Sequence, residues 1–187
     1  MLTERYQEAL VLAFRLHQHQ QRKGGGPYIS HLLTVSALIL EDGGNENEAI
    51  AALLHDAVED QGGQPTLALI RDKFGDEVAA IVASCTESDC TPKPPWKDRK
   101  LLYLAHLQAG TPAVARVSLA DKFHNATTLL SALRAQGAGV WERFKGGRED
   151  TLWFYRELLA IYREVLPASS RVAELERVVI ELQTTPT

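Results

Sequence analysis

The sequence is poor in the features that would mark a specialised class. It has two cysteines in 187 residues, Cys85 and Cys90. They share no metal-binding spacing, which excludes a disulfide framework and a thiolate zinc site. The expectation is two reduced thiols in a cytoplasmic protein. Basic charge is not in excess: the formal net charge is −4, and no basic stripe runs down any predicted helix. A nucleic-acid-binding surface is therefore not expected, although a local basic pocket stays possible. No apolar run is long enough to span a bilayer, and the N-terminus MLTERYQEAL lacks the basic-then-apolar pattern of a signal peptide, so no membrane partner is expected. No segment alternates with period two, no repeat is visible and no region is low in complexity. What remains, 45% apolar and 24% charged residues, suits a single domain over residues 1–187 with one substantial core.

Helical periodicity runs through most of the chain and predicts an all-α bundle of about nine or ten helices. A first helix runs from Thr3, its N-cap, to about Gln21, with Tyr6, Leu10, Ala13, Phe14 and His17 on the helical period. His17 and His19 read as C-terminal-turn residues favoured by the helix dipole. The loop QRKGGGPYISH follows and carries the cations Arg22 and Lys23. Ser30 reads as the N-cap of a helix from His31 to about Glu41, with Leu32, Val35, Leu38 and Ile39 inward. Beyond the central stretch, helices are predicted over 65–73, 76–86 and 96–108. Val78, Ile81 and Val82 face inward in the second of these. In the third, Leu101, Leu104 and Ala105 are inside and Lys97, Arg99 and Lys100 outside. The intervening ESDCTPKPP is a loop that supplies another cation, Lys93. Further helices are predicted over 112–135, 148–166 (stripe Leu152, Tyr155, Leu159, Tyr162) and 170–183, with WERFKGG as a short turn bearing exposed aromatics and Thr184 to Thr187 frayed.

The most informative stretch is AIAALLHDAVED, Ala49 to Asp60, read as part of one helix over 46–60. Ile50, Leu53, Leu54, Ala57 and Val58 form its apolar stripe, and His55, Asp56, Glu59 and Asp60 share the opposite face. Ordinarily such a face is solvated surface. Here the preceding turn, Ala49 to Leu54, is apolar or alanine all round, which marks a buried helix. Three carboxylates and an imidazole in a low-dielectric site repel one another unless a cation neutralises them, and a divalent metal is the economical answer. A second polar line, Asp121, Asn125 and Thr128 at i, i+4, i+7, lies on the 112–135 helix among apolar neighbours, with His124 beside it as a packed or supporting histidine.

Together these residues give the order H…HD…D: His31, His55–Asp56 and Asp121. Two imidazoles and two carboxylates suit Mn²⁺, Fe²⁺ or Zn²⁺ and are too nitrogen-rich for Ca²⁺ or Mg²⁺. Such an ion lowers the pKa of water and stabilises charge on a phosphoryl group. Glu59 and Asp60, one turn on, are placed to orient that water or carry its proton.

With these residues in view, the chain resembles the HD-domain phosphohydrolases. Within them it is similar to the (p)ppGpp hydrolase domains of Rel/SpoT enzymes and the stand-alone small alarmone hydrolases, which include the metazoan SpoT homolog. The stretches RKGGGPYISH at 22–31, ALLHDAVED at 52–60, FGDEVAAIV at 74–82 and LADKFHNATTL at 119–129 carry the likeness. The resemblance implies an all-helical HD domain in which His31, His55, Asp56 and Asp121 hold Mn²⁺. It implies Glu59 and Asp60 as the catalytic acidic pair, and Arg22, Lys23, Lys122, Asn125 and Thr128 as substrate-binding residues. The implied reaction removes the 3′-pyrophosphate of guanosine tetra- or pentaphosphate. Two departures stand out: three consecutive glycines at 24–26, and Lys122 where arginine is common. The aromatic that closes over the nucleotide is open among Trp141, Phe144, Trp153 and Tyr155. No synthetase, TGS or ACT region is seen, so a hydrolase-only chain is expected, with a small nucleotide as its partner and its oligomeric state open. The alternatives are an HD phosphohydrolase for another phosphorylated nucleotide, such as NADPH or a nucleoside monophosphate, and a non-catalytic nucleotide-sensing module.

Overall fold

A computed structural model describes residues 1–90 and 92–185. Ten α-helices and one 3₁₀ helix occur among them, in agreement with the all-α bundle. No described helix is long and apolar enough to cross a membrane. The helices are α1 Glu4–His17, α2 Ile29–Glu41, α3 Glu46–Leu54, α4 Ala57–Asp60, α5 Gly63–Phe74, α6 Asp76–Cys85, α7 Trp96–Ala109, α8 Pro112–Gln136, α9 Gly147–Val165 and α10 Ser170–Thr184, with the 3₁₀ helix Gly137–Arg143 between α8 and α9. Of the C-terminal residues expected to fray, Thr184 closes α10, and Pro186 and Thr187 lie outside the described residues, as does Thr91 of the predicted loop.

The centre of the bundle is α3. It starts in a capping box, where the Asn45 side chain accepts from Glu48 N–H and the Glu48 carboxylate accepts from Asn45 N–H, satisfying two donors that a helix start otherwise leaves bare. Every residue from Ala49 to Leu54 is fully buried, because α3 packs against α1, α2, α6 and α8 at once. A helix surrounded in this way has to be apolar all round.

Five expectations are corrected. The helix predicted as continuous over 46–60 breaks at the His55–Asp56 pair: α3 ends at Leu54 and α4 begins at Ala57. The His55 ring N–H donates to Ala52 O at 2.8 Å, and Asp56 sits at φ −94°, ψ −5°, the bridge region that relaxes a helix turn. Ser30 is not an N-cap; α2 starts at Ile29, and the Ser30 hydroxyl donates to Pro27 O at 2.8 Å. In α7 the buried face is Tyr103, Leu104 and Leu107, whereas Leu101 is 51% exposed. Arg99 and Lys100 turn inward instead, onto the half-buried Glu87 carboxylate, their long stems covering apolar surface. Trp141, expected to be exposed, is buried beside Phe144 in the core. On α1, Phe14 faces solvent while Ala9, Ala13 and His17 are buried.

Candidate metal centre and substrate cleft

Three elements bring four side chains to one point. His31 comes from the first turn of α2, His55 and Asp56 from the break between α3 and α4, and Asp121 from the middle of α8. His31 Nε2 lies 3.2 Å from Asp121 Oδ1 and 3.6 Å from Asp56 Oδ2. His55 Nε2 lies 3.0 Å from Asp56 Oδ2 and 3.6 Å from Asp121 Oδ1. Ligand atoms each about 2.0–2.2 Å from a shared ion stand about 3–4 Å apart, which is the spacing found. His31, His55 and Asp56 form a possible metal-holding group; Asp121 lies outside that group of three, with its Oδ1 within 3.2 and 3.6 Å of the two imidazoles.

The hydrogen bonds around the four fix which atoms are free. A carbonyl oxygen only accepts, so His55 carries its proton on Nδ1, facing Ala52 O. Its Nε2 is then a bare lone pair, buried, with no hydrogen-bond partner among the described residues, and it points at two carboxylates that are also acceptors. Lone pairs facing lone pairs in a dry site call for a cation. Without one only a proton can compensate: burial opposes charging His55, yet Asp56 and Asp121 carry its pKa well above the ordinary value. His31 follows the same logic. Its Nδ1 meets His124 Nδ1 at 2.6 Å, and burial, followed by His31 itself, lowers the His124 pKa to about 4. A neutral His124 accepts from the His31 Nδ1–H and leaves His31 Nε2 free for the centre. Such outer partners set the tautomer of a metal-binding histidine.

The two aspartates are steered as firmly. Asp56 Oδ2 accepts from the Tyr28 hydroxyl at 2.5 Å. Asp121 accepts from Lys122 Nζ at 2.6 Å and from Asn125 Nδ2 at 2.5 Å. Lys122, expected to contact the substrate, thus spends its buried amine on Asp121 and lies 4.9 Å over the Tyr103 ring. Arg22 reaches the same helix from the glycine-rich loop, donating to Asn125 Oδ1 at 2.8 Å and to Thr128 Oγ1 at 3.5 Å, with its guanidinium 5.7 Å from the Tyr28 ring centre. Lys23 sits 4.8 Å over the Phe144 ring. Of the aromatics left open, Phe144 is therefore the one beside the basic loop; Trp141 and Tyr155 are buried, and the Trp153 ring lies under Lys97 at 3.1 Å.

The acidic pair divides. Glu59 turns toward the 87–95 loop and accepts from Lys93 Nζ at 2.7 Å and from Glu87 N–H at 3.1 Å. Asp60 turns the other way and accepts from Gln20 Nε2 at 2.8 Å. Burial and then the Asp56 charge raise the Asp60 pKa. Neither Tyr28 nor Gln20 stands out among the residues of the motifs. Tyr28 carried one usable signal, its position three residues before His31, while Gln20 carried none.

Comparison with known proteins places the chain. Residues 9–152 match the model of a family described as HD domain. The chain is 32% identical over 171 residues to a probable guanosine-3′,5′-bis(diphosphate) 3′-pyrophosphohydrolase of Synechocystis, an alignment covering 80% of this chain and 22% of that protein. It therefore spans about a fifth of that longer relative. It is 37% identical over 122 residues to the guanosine-3′,5′-bis(diphosphate) 3′-pyrophosphohydrolase MESH1 of Xenopus tropicalis, covering 63% of this chain and 65% of that one. Among solved structures, lmo0812 of Listeria monocytogenes superposes with a TM-score of 0.73 at 32% identity, covering 84% of this chain and 98% of that one. A metazoan ortholog of SpoT described as hydrolysing ppGpp superposes with a TM-score of 0.77 at 21% identity over 98% of both chains, a likeness that speaks to the fold.

Proposed function

From the fact that this chain belongs to the HD-domain family, we propose that it is a metal-dependent 3′-pyrophosphohydrolase that converts ppGpp or pppGpp and water to GDP or GTP and pyrophosphate. The observation that carries the proposal is the buried, partnerless His55 Nε2 aimed at Asp56 and Asp121, beside a loop whose Arg22 and Lys23 supply positive charge for a polyanionic nucleotide. His31, His55, Asp56 and Asp121 would hold the ion. Their mixed nitrogen and oxygen set fits Mn²⁺. When bound, the ion supplies an activated water and a counter-charge for the phosphoryl oxygens.

The remaining roles belong to the chain itself. Glu59 and Asp60 flank the centre from opposite sides and exchange protons with the attacking water and the leaving 3′ oxygen. Arg22, with Asn125 and Thr128 on α8, forms one wall of the cleft, and its planar guanidinium suits stacking on a purine. Phe144 and Lys23 border the same wall. Lys122 acts through Asp121, which it holds and neutralises.

The direct test offers purified protein with Mn²⁺ the substrates ppGpp, pppGpp and NADPH, with products separated by anion exchange. Pyrophosphate and GDP or GTP are the expected products, abolished by chelation and restored by Mn²⁺. Manganese-loaded protein that releases no pyrophosphate from either alarmone would overturn the proposal. Release of phosphate from NADPH alone would move it to another nucleotide, and binding without turnover would make the chain a sensor. Glu59→Gln is expected to keep metal and fold while kcat falls by about 10²–10⁴; near-normal kinetics would remove Glu59 from the chemistry. Arg22→Ala should raise KM and leave metal affinity unchanged, and an unaltered KM would count against the cleft wall.

A further inference from the structure

We infer that Gln20, oriented by His17 and Gln61, is a positioning residue that selects the working orientation of the Asp60 carboxylate. The inference rests on the reading above in giving Asp60 a role in turnover. Its geometry stands apart from that reading.

The argument starts at Asp60, because a carboxylate only accepts. Gln20 must present its NH₂ to Asp60 Oδ2, 2.8 Å away, so its amide oxygen faces the other way. There Oε1 meets His17 Nδ1 at 2.7 Å and Gln61 Nε2 at 2.6 Å. Two donors on one end and an acceptor on the other leave the amide a single orientation. The same chain fixes the His17 tautomer: Nδ1 carries the proton, and Nε2 is left bare. That Nε2 is buried and without a partner among the described residues. Burial keeps this imidazole on the neutral side, its pKa lowered. The ring is clamped by stacking on Tyr28, with centroids 5.2 Å apart and planes at 14°. The Gln20 main chain is pinned as well, by Gln20 N–H to His17 O at 3.0 Å and Tyr28 N–H to Gln20 O at 3.0 Å.

Asp60 needs such a guide. It closes α4, a helix of four residues that follows the break at His55–Asp56, and so it gains little order from its own element. Around it stand Asp56 at the start of α4, Lys93 of the 87–95 loop, and His17, Gln20 and Tyr28 from α1 and the segment after it. Asp56 repels the Asp60 carboxylate, and Lys93 is already paired with Glu59. Gln20 is the donor that holds the Asp60 side chain in place.

The test compares Gln20→Leu with the native chain. The expected result is a fall in kcat of about tenfold to a hundredfold, with KM and Mn²⁺ affinity by electron paramagnetic resonance unchanged. In the Zn²⁺-loaded protein, the ¹³Cγ titration of Asp60 should shift upward, because the charged form loses a donor. His17→Asn retains a donor to Gln20 and should keep more of kcat than His17→Leu. This pair decides the matter if Gln20→Leu does not fold. An unmoved Asp60 titration and unchanged kcat in Gln20→Leu, with Asp60→Asn inactive, would overturn the inference, as would a parallel loss of Mn²⁺ affinity. An Asp60→Asn protein with native kcat would instead overturn the catalytic reading of Asp60, leaving its titration to decide the hydrogen bond.

Discussion

At one end of the contact between α3 and α8, the buried Glu48 carboxylate is paired with Arg116. Just past the end of α3, and five residues further along α8, Asp56 and Asp121 face the imidazoles of His31 and His55. The first cluster is closed. Its acid has a base, Arg116 donates to it from two nitrogens, and the capping box uses the second carboxylate oxygen. The second cluster is open. Tyr28, Lys122 and Asn125 satisfy part of each carboxylate, yet His55 Nε2 has no partner among the described residues, and it faces both carboxylates. The same two helices thus use charge once as a clamp and once as a ligand set. The difference is whether the compensating charge is covalently part of the chain. A self-neutralised pair fixes the register of α3 on α8, which in turn sets the distance between His55 and Asp121.

Three substitutions probe that contrast. The largest effect is expected from Asp121→Ala, which opens the centre on the α8 side and strands the buried Lys122 amine. Stoichiometric Mn²⁺ binding, followed by titration calorimetry, should disappear, and a mutant that still binds one Mn²⁺ would refute the ligand assignment. Next comes Arg116→Met. It leaves Glu48 buried and uncompensated, with a cost of about 3 kcal/mol, the low end for a broken buried pair because Arg116 is partly solvated. Urea unfolding should report that loss while the folded protein still binds one Mn²⁺. Loss of metal without loss of stability would reverse the roles given to the two clusters. The smallest effect belongs to Tyr28→Phe, which removes one donor from Asp56. Metal affinity should weaken by about tenfold, the lower range for an outer hydrogen bond, with stability hardly altered. An unchanged affinity would show that Asp56 is held by the backbone break alone.

Much of this site could be read from the residues. The order His31, His55–Asp56, Asp121 predicted a common centre, and the apolar run Ala49 to Leu54 predicted that it is buried. The polar line Asp121, Asn125, Thr128 is where the Arg22 guanidinium lands, on Asn125 and Thr128. Other features were out of reach. Periodicity made 46–60 one helix, because it records which residues prefer burial and is blind to a side chain that replaces a backbone bond, as His55 does at Ala52 O. It turned α7 the wrong way because Glu87, in the segment before the helix, rewards inward basic side chains that an apolar count assigns to solvent.

The residues alone, then, established that the chain is helical and which stretches are buried, and they pointed to a cation between two imidazoles and two carboxylates. Those properties follow from local spacing and from the cost of burying charge. Tertiary structure alone decided which lone pairs stay free, that Glu59 and Asp60 turn to opposite sides, and that Gln20 and Tyr28 stand behind Asp60 and Asp56. Each of these depends on contacts between residues far apart in the chain, such as Gln20 with Asp60 across 40 residues and Arg22 with Asn125 across 103. The direction of a hydrogen bond is set by the partner that arrives, and no local pattern records that arrival.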